Sequence, residues 1–227
     1  MDRTQINRVS VADQVATLLR QRILEGEFLP GSQVQELPLA SSLGVSRNTM
    51  REAIRILSLE GLVRRSLHRG AAVAQLSLRD VHEIYQLRRM LELPAVLAAR
   101  EPDAGLLQEI RSAVEQYELA VHERNWSRAV SHDLHFHSLL IRFHGNQRLD
   151  SFYKKMLGEL RVGMVLVDRS HDNPGALIPV HRKMCQLLTA GKLKQCAAVL
   201  EQHLEDSESR LTRIMHAQAE RGARTAQ

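Results

Sequence analysis

The chain has 227 residues, 44% of them hydrophobic but only 4% aromatic, and a formal net charge of +5. It can bury a real core, in one large domain or two smaller ones, and its apolar residues favour Leu-, Ala- and Val-rich helix packing over an aromatic-rich β-sandwich. The two cysteines, Cys185 and Cys196, exclude a disulfide framework, match no metal-ligand spacing and suit a reducing cytoplasm. The opening MDRTQINRVS holds no apolar leader, and no run of about 18 apolar residues follows it, so a cytoplasmic location and no membrane partner are expected.

Ala12, Val15, Ala16, Leu19 and Ile23 recur at helical spacing and predict a first amphipathic helix, ended by Gly26. Leu29-Pro30-Gly31 reads as a turn. Leu39, Leu43 and Val45 predict a short second helix with Pro38 in its first turn, where proline is tolerated. Within Leu43–Val63, Met50, Ala53, Ile54 and Leu57 fall at i, i+3, i+4 and i+7 and make one apolar stripe. Ser46 can cap this third helix, and Gly44 suits the tight turn of a helix-turn-helix. Arg47, Asn48, Thr49, Arg51 and Arg55 lie off the stripe. A helix of this kind can present its first residues to base edges while its body packs on a scaffold.

Residues 62–74, LVRRSLHRGAAVA, read as two short strands around His68-Arg69-Gly70, a hairpin with a basic tip. Three helices and a two-stranded wing make a winged helix-turn-helix, in which Arg64, Arg65 and Arg69 serve as phosphate or minor-groove contacts. The first 75 residues carry 10 Arg and no Lys against 7 acids, an excess that permits a nucleic-acid partner without requiring one.

Beyond Ser77 the pattern is helical almost throughout. Helices are predicted over 80–100 (on Val81, Ile84, Leu87, Leu91 and Ala95), from 102 to about 123, and over 126–143, 148–168, 177–190 and 193–218, with a loop at 171–175 and a disordered tail from Glu220. Short connections and the composition shift near residue 76 predict two domains, 1–76 and 77–227, the second an all-α bundle.

The helix over 126–143 has the stripe Trp126, Ala129, Val130, Asp133, His137, Leu140 and Ile141. Asp133 and His137 therefore share an apolar face one turn apart, with Cβ atoms about 5–6 Å from each other. His181 lies on the stripe of Leu177, Met184 and Leu188, and His203 on that of Leu193, Cys196, Leu200, Leu204 and Leu211. A lone histidine on such a face is usually a satisfied core residue. Three of them with an aspartate, converging inside a bundle, predict a metal site with N and O ligands. His144 lies seven residues beyond His137, about 10 Å along the axis, too far to share an ion; His132 and His135 fall off the stripe, and His68, His82, His122, His171 and His216 read as surface residues.

Both halves resemble one family. LPG (29–31), LGVSRNTMREA (43–53), EGLV (60–63) and RGAAV (69–73) are similar to the N-terminal domain of GntR-type bacterial transcription regulators. The helical remainder resembles the FCD subfamily, whose D-x-x-F/x-H pattern followed by two distant histidines is matched by Asp133, Phe136, His137, His181 and His203, with HGN at 144–146. The resemblance, over residues 11 to about 215, implies DNA contacts from Ser46, Arg47, Asn48, Thr49, Arg51, Arg69 and Gly70, and metal ligation by Asp133, His137, His181 and His203. The chain departs from it at Asn48-Thr49, where many relatives have Thr-Pro, and at Leu37, where some have a basic residue.

The function expected is a DNA-binding regulator: a homodimeric repressor or activator on a palindromic operator, repressors being commoner. A small carboxylate, an organic or sugar acid, would control it from a site at a divalent transition metal (zinc, nickel or manganese). Four protein ligands leave two positions on an octahedral ion for the carboxylate, and Arg88 or Arg89 could pair with its remaining charge. The alternatives are a metal sensor, in which the ion is the signal, and a metal-dependent hydrolase or lyase. The second leaves the DNA-binding third unexplained and lacks a recognisable nucleophile or base.

Overall fold

Ser10 opens the first helix with a reciprocal cap, its side chain accepting from the Asp13 amide while Asp13 accepts from the Ser10 backbone. The computed structural model describes residues 10–66, 70–99, 103–165 and 174–225, and the chain divides into two compact units, residues 1–75 and 76–227.

In the first unit, α1 (Val11–Leu24), α2 (Glu36–Ser42) and α3 (Arg47–Leu59) pack beside a small antiparallel sheet. The α3 stripe Met50, Ala53, Ile54 and Leu57 is fully buried, and Ala16, Leu19 and Ile23 of α1 are buried with it. Arg20 clamps Glu60, just past the end of α3, with two hydrogen bonds of 2.8 and 2.6 Å. Gly44, at φ +63°, makes the turn between α2 and α3 that a side chain would strain.

The sheet has three strands rather than the expected two, in the order β1 (Gln33–Val34), β3 (Gly70–Val73), β2 (Val63–Ser66). Val63 pairs with Val73 and Ser66 with Gly70 across the hairpin, and Gln33 and Val34 add to the free edge of β3. A two-residue strand is too short to show alternation in a sequence, so only its preceding turn was visible. Helix α2 ends at Ser42, which leaves Val45 in the turn, not in the helix as the apolar spacing suggested.

In the second unit, α4 (Leu78–Ala98), α5 (Ala104–His122), α6 (Trp126–Ile141), α7 (Gln147–Gly163), α8 (Ile178–Thr189) and α9 (Leu193–Thr225) form an all-α bundle. Ser77 and Asp80 cap α4 reciprocally, Asp103 caps α5, and Asn125 caps α6. One core runs from Val81 and Tyr85 on α4 through Ile110, Leu140 and Leu160 to Leu200 and Leu211 on α9. Of the loop expected at 171–175, residues 171–173 lie outside the described residues, and 174–177 form a 3-10 turn. Of the tail expected to be disordered from Glu220, residues 220–225 are instead the last part of α9, and 226–227 lie outside the described residues. That segment carries no large apolar residue and so has no periodic stripe, though its Glu, Arg and Ala residues favour helix. Among the described residues no helix is long and apolar enough to cross a membrane.

Candidate metal centre and nucleic-acid interface

At the start of α3, the Ser46 hydroxyl accepts the Thr49 amide at 3.1 Å and sits 2.8 Å from the Thr49 hydroxyl. Ser46, Arg47 and Asn48 are exposed at this end of the helix, Ser46 with its hydroxyl engaged in the cap, and Thr49 is half-buried. Arg51 is exposed one turn on. Its Nε is 4.0 Å from Glu36, which also has Arg65 at 3.6 Å. Contacts this long on the surface are weak and give way to a phosphate without great loss. Arg55, by contrast, is bonded to both oxygens of Glu52 at 2.7 to 3.0 Å. On the hairpin, Arg64 is exposed on β2 and Gly70 opens β3 at φ +75°, while Arg69 lies outside the described residues.

In the bundle, Asp133 and His137 on α6 meet His181 on α8 and His203 on α9, and one ligand atom from each lies within 4.8 Å of all the others. All four side chains are buried. The His137 and His203 Nε2 atoms face each other at 3.1 Å, their rings parallel to within 8°. Asp133 Oδ1 is 3.0 Å from His181 Nε2 without hydrogen-bond alignment. Phe136 and Tyr117 pack against His181, the first at right angles and the second tilted, with ring centroids at 4.9 and 5.1 Å.

Partners on the outer side fix how these rings are used. His181 Nδ1 donates to the Leu177 carbonyl at 2.9 Å, and His137 Nδ1 donates to Glu92 Oε2 at 2.5 Å. Neither acceptor can donate back, so in the neutral imidazoles both Nε2 atoms carry lone pairs, directed at Asp133 and at His203. The His181 lone pair set against the Asp133 carboxylate repels unless something positive lies between them, whereas His203 can meet the His137 lone pair either with an Nε2 hydrogen or, across a shared cation, with a lone pair of its own. Two nitrogen ligands of one ion, each at about 2.1 Å, stand roughly 3.0–3.4 Å apart. The 3.1 Å between His137 and His203 falls in that range. The cluster therefore fits a divalent cation.

Burial raises the Asp133 carboxyl, but the nearby His181, His137 and His203 outweigh it and hold it well below the usual carboxylate range. Burial likewise opposes Glu92, and Arg88, His137 and Tyr153 together bring it down to about 2. Burial pushes the His137 imidazole down despite Glu92, and pushes His203 well down, with His181 and His137 adding to the effect.

The unfolded chain takes up these protons near 6.5, and the folded, metal-free chain resists them to lower pH. Below about pH 6.5 the unfolded state therefore binds more protons, and stability falls with acid, by up to about 1.4 kcal/mol per pH unit for each of the two histidines. We expect the urea midpoint of chelator-treated protein to drop between roughly pH 7.5 and roughly pH 5.5, and to drop less in His203→Gln. A midpoint with the same pH slope in both proteins would count against a buried neutral His203.

The two arginines expected at the effector separate. Arg88 is buried, its Nε donating to Glu92 Oε1 at 2.8 Å and its Nη2 without a hydrogen-bond partner. Arg89 instead donates to Glu208 at 2.7 Å, an ion pair with α9 away from the cluster. Sequence reasoning missed Glu92, Tyr85 and Tyr153. Tyr153 donates to Glu92, and the buried Tyr85 ring lies beneath the Arg88 guanidinium, whose carbon is 5.0 Å from the ring centroid. The signal was present: Tyr85, Arg88 and Glu92 fall on the same face as Val81, Ile84 and Ala95, and charged residues inside an apolar stripe are costly unless paired. His144 donates to or accepts nothing in the cluster; its Nε2 bonds the Leu91 carbonyl at 2.8 Å.

Residues 11–73 match the bacterial regulatory proteins of the gntR family, and residues 83–206 match the FCD domain. The HTH-type transcriptional regulator YdhC of Bacillus subtilis (strain 168) is 30% identical over 168 residues, covering 73% of this chain and 75% of that one. A protein of Paenarthrobacter nicotinovorans, named as a probable D-xylose utilization operon transcriptional repressor, is 27% identical over 207 residues, 90% of this chain and 91% of its own. Among solved structures, a GntR transcriptional regulator of Rhodococcus sp. RHA1 superposes with a TM-score of 0.79 at 30% identity, covering 89% of this chain and 98% of that one.

Proposed function

This chain is a DNA-binding transcription regulator of the gntR family with an FCD domain, and on that premise we propose that it is a cytoplasmic, homodimeric repressor whose hold on a palindromic operator is set by a small organic or sugar acid bound at a metal ion. Its relatives are transcription regulators, not enzymes, which disposes of the hydrolase alternative. Residues 1–76 would bind the operator, and residues 77–227 would dimerise and bind the effector.

The observation that carries the effector half is the pair of outer-side hydrogen bonds, His137 to Glu92 and His181 to Leu177, which leave both inner nitrogens as lone pairs in a buried cluster with Asp133 and His203. Imidazole and carboxylate ligands suit zinc, nickel or manganese. When bound, the ion supplies a fixed positive charge with room for a carboxylate beside the four protein ligands. Arg88, buried with its Nη2 unpartnered, would take the rest of an anion's charge; Arg89 is already paired with Glu208. An acid that binds one packing of the bundle better than another biases the dimer toward it, and with it the spacing of the two recognition helices.

A thermal-shift screen of organic and sugar acids on metal-loaded protein, repeated after chelation, tests this. Stabilisation by an acid that vanishes without metal supports the effector at the ion. Stabilisation by metal alone, with no acid adding to it, favours the ion as the signal. An acid effect that survives chelation moves the effector away from this cluster.

A further inference from the structure

We propose that Glu92 is a positioning residue that joins the two halves of this site, orienting His137 through one carboxylate oxygen and Arg88 through the other; the metal part of this rests on the function proposed above. Glu92 is fully buried, and its oxygens do different work. Oε2 accepts from His137 Nδ1 at 2.5 Å. Oε1 accepts from Arg88 Nε at 2.8 Å and from the Tyr153 hydroxyl. A carboxylate ionised in this pocket has no hydrogen to give, so it fixes His137 as the Nδ1–H tautomer and leaves Nε2 free toward His203. The same group holds Arg88 by Nε alone. Nη2, on the same edge of the guanidinium as Nε, is buried and bonded to neither Glu92 oxygen.

The neutral amide of Glu92→Gln cannot do both. With its oxygen toward His137, its NH2 meets the Arg88 N–H, donor against donor. With its NH2 toward His137, it forces a lone pair onto Nδ1 and moves the hydrogen to Nε2, the atom the cluster needs bare. A Glu92 that served only as half of a core ion pair would cost stability when replaced and would leave the His137 tautomer alone.

The test uses full-length protein. In the metal-stripped wild type, side-chain nitrogen–proton spectra should show His137 as the Nδ1–H form, and a wild type in the Nε2–H form overturns the proposal with no variant needed. In Glu92→Gln that signal should be lost or moved to Nε2, and zinc affinity, measured against a competing chelator, should fall roughly 10- to 100-fold. Tyr153→Phe removes a bond to the other oxygen and should keep both the tautomer and the zinc affinity. Wild-type zinc affinity and tautomer in Glu92→Gln overturn the proposal, as does an equal loss in Tyr153→Phe. A wild type that has the Nδ1–H form but binds no zinc overturns the metal reading and leaves Glu92 as the residue that orients His137.

Discussion

Asp133→Ala, His137→Ala, His181→Ala and His203→Ala are each expected to strip the purified protein of most of its bound metal. The reason is convergence. The four ligand atoms come from three helices and lie within 4.8 Å of one another, so each substitution removes one corner of a single cluster. An ion at about 100 times its dissociation constant stabilises the folded chain by roughly 2.7 kcal/mol, and a variant that no longer holds it forfeits that. Zinc, nickel or manganese should therefore raise the melting temperature of the wild type and do little for the four variants. Response to an acid effector should go with the metal. Binding to operator DNA should largely survive, because the winged unit has its own core of Leu19, Ile23, Met50, Ile54 and Leu57. Metal content by mass spectrometry decides the matter. If the wild type takes up none of the three ions, or if all four variants take them up as it does, the cluster is a polar core and the effector mechanism fails.

The cluster was legible because helices write their buried face into the sequence at a period of 3.6. Asp133, His137, His181 and His203 each interrupt an apolar stripe, and the structure brings those interruptions together. The residues behind them were harder to see. Glu92 and Arg88 are four apart and look like an ordinary surface pair, and the neighbouring Leu87 and Leu91 drew the stripe one step round the helix from where burial puts it. Arg89 shows the opposite failure: sequence cannot tell which of two adjacent arginines faces in, because each is compatible with a helix rotated by a fraction of a turn. In the first unit the recognition helix followed from its stripe and its Ser46 cap. Strand β1 did not, since two residues carry no period and their pairing with Ala71 and Ala72 is set by chain reversal almost forty residues away. The end of α9 escaped for a related reason, a segment with no large apolar residue having no stripe to read.

For the operator, Arg47→Ala and Arg51→Ala are each expected to weaken binding by about 1–3 kcal/mol per half-site, the worth of a good base contact. Both side chains are exposed on the first turns of α3, and among the described residues only Arg51 of the two has even a distant acidic neighbour, at 4.0 Å. In a homodimer each substitution enters twice, so the loss on a two-site operator approaches double that of one half-site. Arg55→Ala is the internal control. Its guanidinium is already committed to Glu52, so its removal should change operator affinity far less than that of Arg47. Arg64 lies on the hairpin and would meet a phosphate rather than a base. Arg64→Ala should then weaken specific and non-specific binding alike and reduce the dependence of log affinity on log salt by about 0.9 for each phosphate lost. Gel-shift titrations at several salt concentrations, on operator and on unrelated duplex, separate the two classes. A base-reading arginine lowers the ratio of specific to non-specific affinity, whereas a phosphate-binding one lowers the salt slope and leaves the ratio alone. Wild-type affinity in Arg47→Ala would take the start of α3 out of the interface, and a lost ratio in Arg55→Ala would mean that Glu52 releases its arginine to the DNA.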